Sequence, residues 1–323
     1  MAVPNSAVDQ LTAITNEYFM KDFPDLVFNQ NVLFQRLHAR GTKVQSGTKI
    51  RIPVKYKFTR HGAYRSFDLG STDAEDQISA AQFEWKQYRE PIVIARDEQL
   101  KNEGPEGMFR FIKAKMELAQ SAIRDDLGTD AFHWATADDP DAHGDAEKEI
   151  NSLVNLIGDG TFPVSSTTAG AINKATASNA FWRGNANDES GALAEASLRE
   201  LWFDCVDGSI HPDLIISHND QLEAYQALIP ERQRFVNTSV AETGFTQIAY
   251  QGQPWIADLH CNAGHLFMLR VDTLDLVSHR DENFRLEAFQ KPVNQNVMIA
   301  WIYWMGNLVI SDPRRNGLLY GIT

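Results

Sequence analysis

The 323-residue sequence holds only two cysteines, Cys205 and Cys261. Their spacing matches neither a disulfide framework nor a zinc knuckle, so both are expected as small buried hydrophobes in a reducing compartment. Long apolar runs are missing as well. The longest, Val297 to Met305, has nine residues, whereas a membrane-spanning helix needs ~20. The opening residues, Met1-Ala2-Val3-Pro4-Asn5-Ser6, carry neither the basic nor the apolar region of a signal peptide. A soluble chain, made and folded in a cytoplasm and without a membrane partner, is expected. No repeat or low-complexity tract interrupts it.

Signatures of chemistry are equally scarce. Gly41-Thr42-Lys43-Val44-Gln45-Ser46-Gly47-Thr48-Lys49 resembles a phosphate loop only faintly, because the order and the intervening count are wrong. His260 and His265 bracket Cys261, and His211 and His218 lie seven apart, but a zinc helix places two histidines four apart around a Glu. On a strand, His260 and Cys261 would face opposite ways. No Gly-x-Ser-x-Gly elbow occurs. We therefore expect no catalytic residue, no metal ligand and no cofactor.

One sign of charge is absent from a long stretch: no Asp or Glu lies between Asp25 and Asp68. That stretch carries Arg36, Arg40, Lys43, Lys49, Arg51, Lys55, Lys57, Arg60 and Arg65. Elsewhere acid dominates, and the whole chain has a net charge of −13. Such an excess argues against general nucleic-acid binding. Hydrophobic residues make up 43% and charged ones 23%, the balance of a globular protein long enough to bury a large core unaided.

Residues 1–40 read as an arm. Leu11, Ile14, Tyr18 and Phe19 have helical spacing that Pro24 ends, and a second short helical pattern follows at Val32, Leu33 and Leu37. Helices this short are marginal alone, so the arm must lie on another surface. Between residues 48 and 58, Ile50, Ile52, Val54, Tyr56 and Phe58 alternate with Lys49, Arg51, Pro53, Lys55 and Lys57. The alternation predicts a strand with one apolar and one basic face. Pro53 suits an edge strand or a two-stranded ribbon. After an acidic tip at 68–76 the chain returns through Phe83–Tyr88 and Pro91–Ile94, giving a hairpin from about Lys43 to Ile94.

Pro105 then opens a long helix, being favoured at the first helical position. Met108, Ile112, Met116, Ala119, Ile123 and Leu127 form its apolar stripe, which extends toward Trp134. An acidic loop at 138–145 follows, including Asp138 and Asp139. Helical patterns appear at Ile150–Ile157, Glu189–Val206 and Asp220–Leu228, with a buried strand at Asp213–Ser217. Beyond Gly252 strands dominate, at Trp255–Leu259, His265–Arg270, Leu274–Val277, Asn296–Tyr303 and Leu308–Ser311.

A ribbon of this length is too extended to neutralise or bury itself locally. We expect it to lie across a neighbouring copy, with Ile50, Ile52, Val54, Tyr56 and Phe58 burying area there. Its basic residues Lys49, Arg51, Lys55 and Lys57, with Arg36 and Arg40 of the arm, would meet acidic surface near Asp125, Asp126, Asp138 and Asp139, setting register more than affinity. The alternative is a ribbon folded onto its own subunit.

The order of arm, long ribbon, long helix, α/β lobe and strand-rich return resembles the subunit of the tailed-phage major capsid fold, shared with herpesvirus capsids and bacterial encapsulins. Local segments are similar to that family too: Gln251-Gly252-Gln253-Pro254-Trp255-Ile256-Ala257-Asp258, Gly306–Asn316, Pro212–Ile216 and Phe181–Gly184. The resemblance covers nearly the whole chain and rests on the order of these segments. It implies an α+β fold with an N-terminal arm (1–42), an extended loop (43–94), a peripheral domain with a spine helix (95–137) and an axial domain (138–260). A strand-rich return (261–323) completes both domains.

The resemblance also implies a structural, non-enzymatic protein that assembles as pentamers and hexamers into an icosahedral head around double-stranded DNA. Such a head does not read DNA sequence. Scaffolding, portal and decoration proteins are the further partners it implies, with assembly in a bacterial host cytoplasm and a final place in the virion. The arm starts almost at once, which resembles a mature form or the class served by a separate scaffolding protein. An encapsulin-like compartment shell and a cytosolic α/β enzyme are the rival readings.

Overall fold

The computed structural model describes residues 32–45, 47–58, 62–66, 76–101, 105–133, 148–162, 167–228 and 248–323. Of the segments read from sequence, the first helical pattern of the arm, most of the acidic tip, Trp134 at the end of the expected helix extension and the acidic loop with Asp138 and Asp139 lie outside them.

A helix, Val32–Arg40, leads into strand β1 (Lys43–Val44), and β2 (Ile50–Lys55) and β3 (Ile78–Phe83) form a ribbon. β4 (Lys86–Ala95) and a short helix (Arg96–Lys101) precede the long helix, Pro105–Phe132, and a further short helix spans Leu153–Ile157. Two small strands, β5 (Thr168–Ala169) and β6 (Ile172–Asn173), precede a 3-10 turn at Ala177–Trp182 and β7 (Asn185–Gly191). Helix Glu195–Cys205, β8 (Leu214–Ser217), helix Asn219–Leu228, β9 (Ile248–Tyr250) and β10 (Gln253–Ala257) follow. The chain closes with β11 (Leu266–Leu269), β12 (Leu274–Leu286), β13 (Val297–Ile310) and β14 (Gly317–Ile322).

Two sheets organise the body. One has the order β1-β12-β13-β4, the other β7-β14-β11-β8-β10-β9. In the first, β13 pairs with β4 from Val297↔Ala95 to Gly306↔Lys86. Strand alternation sends Ala300, Ile302 and Trp304 of β13 and Ile92 and Ile94 of β4 into the core. The long helix covers this face: Tyr88 of β4 donates a hydrogen bond to Asp130 of the helix and accepts one from the Ile150 N–H at 3.0 Å. The opposite face carries Trp301 and Tyr303, each overlaid by an arginine, Arg89 at 5.2 Å and Arg285 at 5.5 Å.

The second sheet is mixed. Its central strands, Leu-Ile-Ile-Ser (β8) and Leu-Phe-Met-Leu (β11), are buried throughout, as a strand covered on both sides must be. Alternation divides them between two cores. Leu214, Ile216, Phe267 and Leu269 join the large core shared with the long helix, where Phe132 meets Phe267 at 5.6 Å. Ile215, Leu266 and Met268 face the other way, onto Leu198, Leu201 and Trp202 of the Glu195–Cys205 helix and Tyr225 of the next.

The segments that resembled a known family have local physical reasons. Gln251 and Gly252, with φ of 51° and 79°, make the tight turn between the antiparallel strands β9 and β10. Trp255 is fully buried and donates its Nε1–H to Ser217 Oγ at 2.7 Å. At Gly184 an added Cβ would sit 1.8 Å from the Ile157 carbonyl oxygen, so only glycine fits. In the closing turn, Asn316 is fully buried; its Oδ1 accepts from the Arg270 N–H at 2.8 Å and its Nδ2 donates to Thr273 Oγ1 at 2.8 Å. Nearby, the Lys174 ammonium is buried and donates to the carbonyls of Asn155, Leu156 and Gly158 at 2.7, 2.7 and 2.9 Å, closing the end of the short helix Leu153–Ile157. Burial presses its pKa down to about 7, against the pull of Asp159.

Several expected boundaries shift. The hairpin read as continuing to Ile94 stops at Phe83: β4 leaves the ribbon for β13, because Ile92 and Ile94 bury their side chains against the helix. Residues 189–191 end a strand and do not start a helix, since β7 pairs with β14 as far as Gly191↔Ile322. The runs at 274–277, 296–303 and 308–311 belong to just two long strands, β12 and β13. The stripe of the long helix includes Phe111, Ala131 and Phe132 besides Ala119, Ile123 and Leu127. Both cysteines are buried and free, as expected.

Candidate subunit interface

β2 and β3 pair antiparallel from Ile50↔Phe83 to Lys55↔Ile78, and among the described residues no third strand joins their sheet. Pro53 is tolerated there because a two-stranded ribbon leaves one edge of each strand without a ladder partner. The predicted alternation is present: Ile50 is buried and Ile52 and Val54 half-buried, while Arg51, Pro53 and Lys55 are exposed. The apolar face rests on the chain's own body. Ile50, Ala81 and Phe83 belong to the large core, with Ile52 and Val54 packed against it. The Gln82 N–H donates to the Gly170 carbonyl at 2.8 Å, and Tyr56 stacks on Phe181 at 4.9 Å.

Outside these contacts, three large apolar side chains among the described residues of this stretch are exposed. Phe58 is 87% exposed, Tyr64 84% and Ile78 66%. The stretch from Ile50 to Phe83 therefore presents two aromatic rings and, opposite Lys55 on the ribbon, an isoleucine to water. Scattered apolar surface is ordinary, but each of these large side chains offers ~1.5–3 kcal/mol if covered.

The other expected interface residues divide. Arg36 is half-buried on the Val32–Arg40 helix, and Arg40 is committed within the chain, 2.6 Å from Asp272. The hydrogen bond from Arg40, joined by one from Arg270, holds the Asp272 carboxyl below its usual range. Lys49 pairs with Glu84 at 3.1 Å across the ribbon base. Arg51, Lys55 and Lys57 stay exposed. Asp125 lies 2.8 Å from His260 Nε2, so it is engaged by its own subunit. Asp126 is exposed beside Glu90, whose carboxyl is raised first by burial and then by the Asp126 charge. Asp138 and Asp139 lie outside the described residues. The ribbon's basic face and the acid pair at 125–126 are thus exposed on separate elements of one chain.

Sequence reading passed over Tyr64 and Ile78, which fall outside the alternating run, and His260, which it counted among scattered histidines. The usable signal for His260 was its spacing two residues after Asp258, which lets the backbone N–H and Nδ1 of the histidine both reach the same carboxylate oxygen, at 3.0 and 3.1 Å. Among the described residues, no group of three or more His, Cys, Asp or Glu side chains converges to hold a metal ion. No helix there is long and apolar enough to cross a membrane.

No protein-family model matches the sequence, and no curated protein matches it closely enough to count. Solved structures do match. The capsid of cyanophage A-1(L) aligns with a TM-score of 0.64 at 13% identity, covering 95% of this chain and 95% of that one. The capsid of an empty GTA particle aligns with a TM-score of 0.60 at 12% identity, over 99% and 100% of the two chains. The SrpI encapsulin of Synechococcus elongatus PCC 7942 aligns with a TM-score of 0.58 at 11% identity, over 100% and 96%. Identities this low carry the fold and nothing finer. The chain has the α+β fold of the tailed-phage major capsid subunit.

Proposed function

We propose that this chain is the structural subunit of a phage head: copies assemble as pentamers and hexamers into an icosahedral shell that encloses double-stranded DNA. The observation that carries the reading is the exposed distal ribbon on a fold otherwise found, end to end, in shell subunits. The body supports the base of the ribbon, and a neighbouring copy covers its tip. Phe58, Tyr64 and Ile78 supply the apolar contact there. Arg51, Lys55 and Lys57 face acidic surface on that neighbour, around Asp126 and the segment holding Asp138 and Asp139. No chemistry is assigned to the chain.

The net charge of −13 supports enclosure without tight binding, because an acidic wall repels the phosphates it surrounds. The virion is the corresponding location, reached from a bacterial host cytoplasm, with scaffolding, portal and decoration proteins as further partners. The likeness to an encapsulin supports a second reading, a shell around a protein cargo.

Sedimentation and negative-stain microscopy of the purified chain across a concentration series test the proposal. Closed, uniform shells are expected above a threshold concentration. A compact monomer at every concentration refutes it. Particles recovered from producing cells separate the two readings: nuclease-protected double-stranded DNA supports the head, and a stoichiometric protein cargo without DNA supports the compartment.

A further inference from the structure

His260 lies just beyond β10, and its side chain is only 6% exposed. Its two ring nitrogens reach two different elements. Nε2 is 2.8 Å from Asp125 on the long helix, and Nδ1 is 3.1 Å from Asp258 at the end of β10. A neutral imidazole carries one N–H and offers a lone pair at the other nitrogen. Two carboxylates at these distances are satisfied together only by the imidazolium. The carboxylates differ in their surroundings: the Asp258 side chain is 1% exposed and that of Asp125 is 50% exposed.

We propose that His260 is a pH-sensitive clasp between the long helix and the six-stranded sheet, closed while the ring is an imidazolium and opened on the helix side when the ring loses a proton. The side that opens follows from the geometry. A lone pair turned toward buried Asp258 would leave a carboxylate with neither water nor a ring donor, so the remaining proton stays on Nδ1. Nε2 then faces Asp125 lone pair to lone pair, and the half-exposed Asp125 turns to water.

Among the described residues, the charges acting on the ring are those of Asp258 and Asp125. Its other titratable neighbours are turned elsewhere. The Cys261 thiol points at the Asn262 and His265 carbonyls, with burial raising its pKa. His218 lies 3.2 Å from Asp220, and Arg124 of the helix lies over Phe284. The hydrogen bond to Asp258 raises the His260 pKa above 6.5, burial opposes it, and Asp125 adds to the rise. A histidine whose pKa is higher folded than unfolded stabilises fully below the unfolded value of 6.5. That contribution fades as pH climbs through the folded value. The clasp lies within one chain and stands or falls separately from the shell reading.

Hydrogen–deuterium exchange of the full chain, corrected for intrinsic exchange rates, tests it at about pH 6 and about pH 9, on either side of the imidazole transition. Helix amides around Asp125 are expected to lose protection at the higher pH. His260→Gln, which donates a single hydrogen bond, should show the lower protection at both values. Asp125→Asn should stay protected at both, because an amide accepts from the charged ring and donates to the neutral one. A His260→Gln variant that keeps the pH response, or an Asp125→Asn variant that opens with pH as the parent does, overturns the clasp. Should His260→Gln fail to fold, an NMR titration of the parent imidazole decides: a pKa at or below 6.5 refutes the proposal and a higher one supports it.

Discussion

Replacing Phe58 and Tyr64 together by serine removes the two most exposed aromatic rings among the described residues. At 87% and 84% exposure, these side chains make few contacts within their own subunit. The isolated fold therefore has little to lose, and the thermal midpoint of the subunit should stay within a few degrees of the parent. The assembled state has much more to lose. Covering a large apolar side chain stabilises by about 1.5–3 kcal/mol, so the pair supplies roughly 3–6 kcal/mol to each ribbon contact. Each 1.4 kcal/mol is tenfold in an association constant, so the weakening is on the order of a hundred- to a ten-thousandfold per contact. Light scattering along a dilution series, checked by negative stain, reads the threshold concentration for shells. A rise of about two orders of magnitude or more is expected at unchanged subunit stability. Shells that form from the double variant at the parental threshold would refute the idea that the ribbon tip is covered in the assembly.

Arg51→Glu with Lys55→Glu should leave folded subunits, since both side chains are exposed, yet block assembly at low salt. Concentrated salt should partly restore assembly, because the Debye length falls to about 3 Å at 1 M; normal assembly at low salt would remove the basic face from the interface. Lys174→Met leaves the Asn155 and Leu156 carbonyls without their side-chain donor, while the Gly158 carbonyl keeps the Gly184 N–H at 3.3 Å; at ~1–3 kcal/mol for each unsatisfied group urea unfolding below pH 7 should show a loss of about 2 kcal/mol or more. An unchanged midpoint would mean that another donor replaces the ammonium. Gly184→Ala forces a methyl group onto the Ile157 carbonyl and should cost about 2–3 kcal/mol or abolish soluble expression, against a negligible effect if the backbone yields.

Strands with one wet face were legible because alternation marks them. Ile50, Ile52 and Val54 announce β2, and the outward Arg51 and Lys55 confirm its hand. The long helix was legible from Pro105 and its stripe. Less visible was which strand pairs with which. Nothing between Phe83 and Tyr88 says that the chain changes partner, because Glu84-Trp85 looks like a continuing strand; the change is set by β13, more than two hundred residues later. Asn307 makes the join, its Oδ1 accepting from the Asn151 N–H at 2.9 Å and its Nδ2 donating to the Glu84 carbonyl at 2.7 Å. A buried polar bond between distant segments has no periodic trace. The same holds for Arg40 and Asp125, whose partners Asp272 and His260 are far off in sequence.

The residues that sequence alone put forward for the interface therefore separate by a physical criterion, whether the fold has already satisfied them. Ile50 has its core, Arg40 and Lys49 have their carboxylates, and Asp125 has His260. What lies outside these contacts is narrower: the exposed aromatic side chains, Arg51 and Lys55, with Lys57 and Asp126 exposed beside them. Copies that each carry a net charge of −13 repel as they approach, so a contact between them needs a local attraction of the opposite sign and a short-range gain to hold it. The basic ribbon face supplies the first, worth at most about 1 kcal/mol per exposed pair and sensitive to salt. The apolar tip supplies the second, several-fold larger and nearly indifferent to salt. Charge reversal should consequently act on which surfaces meet, and ring removal on how tightly they stay together. The two sets of variants are expected to differ in their salt response even where their effects on shell yield are equal.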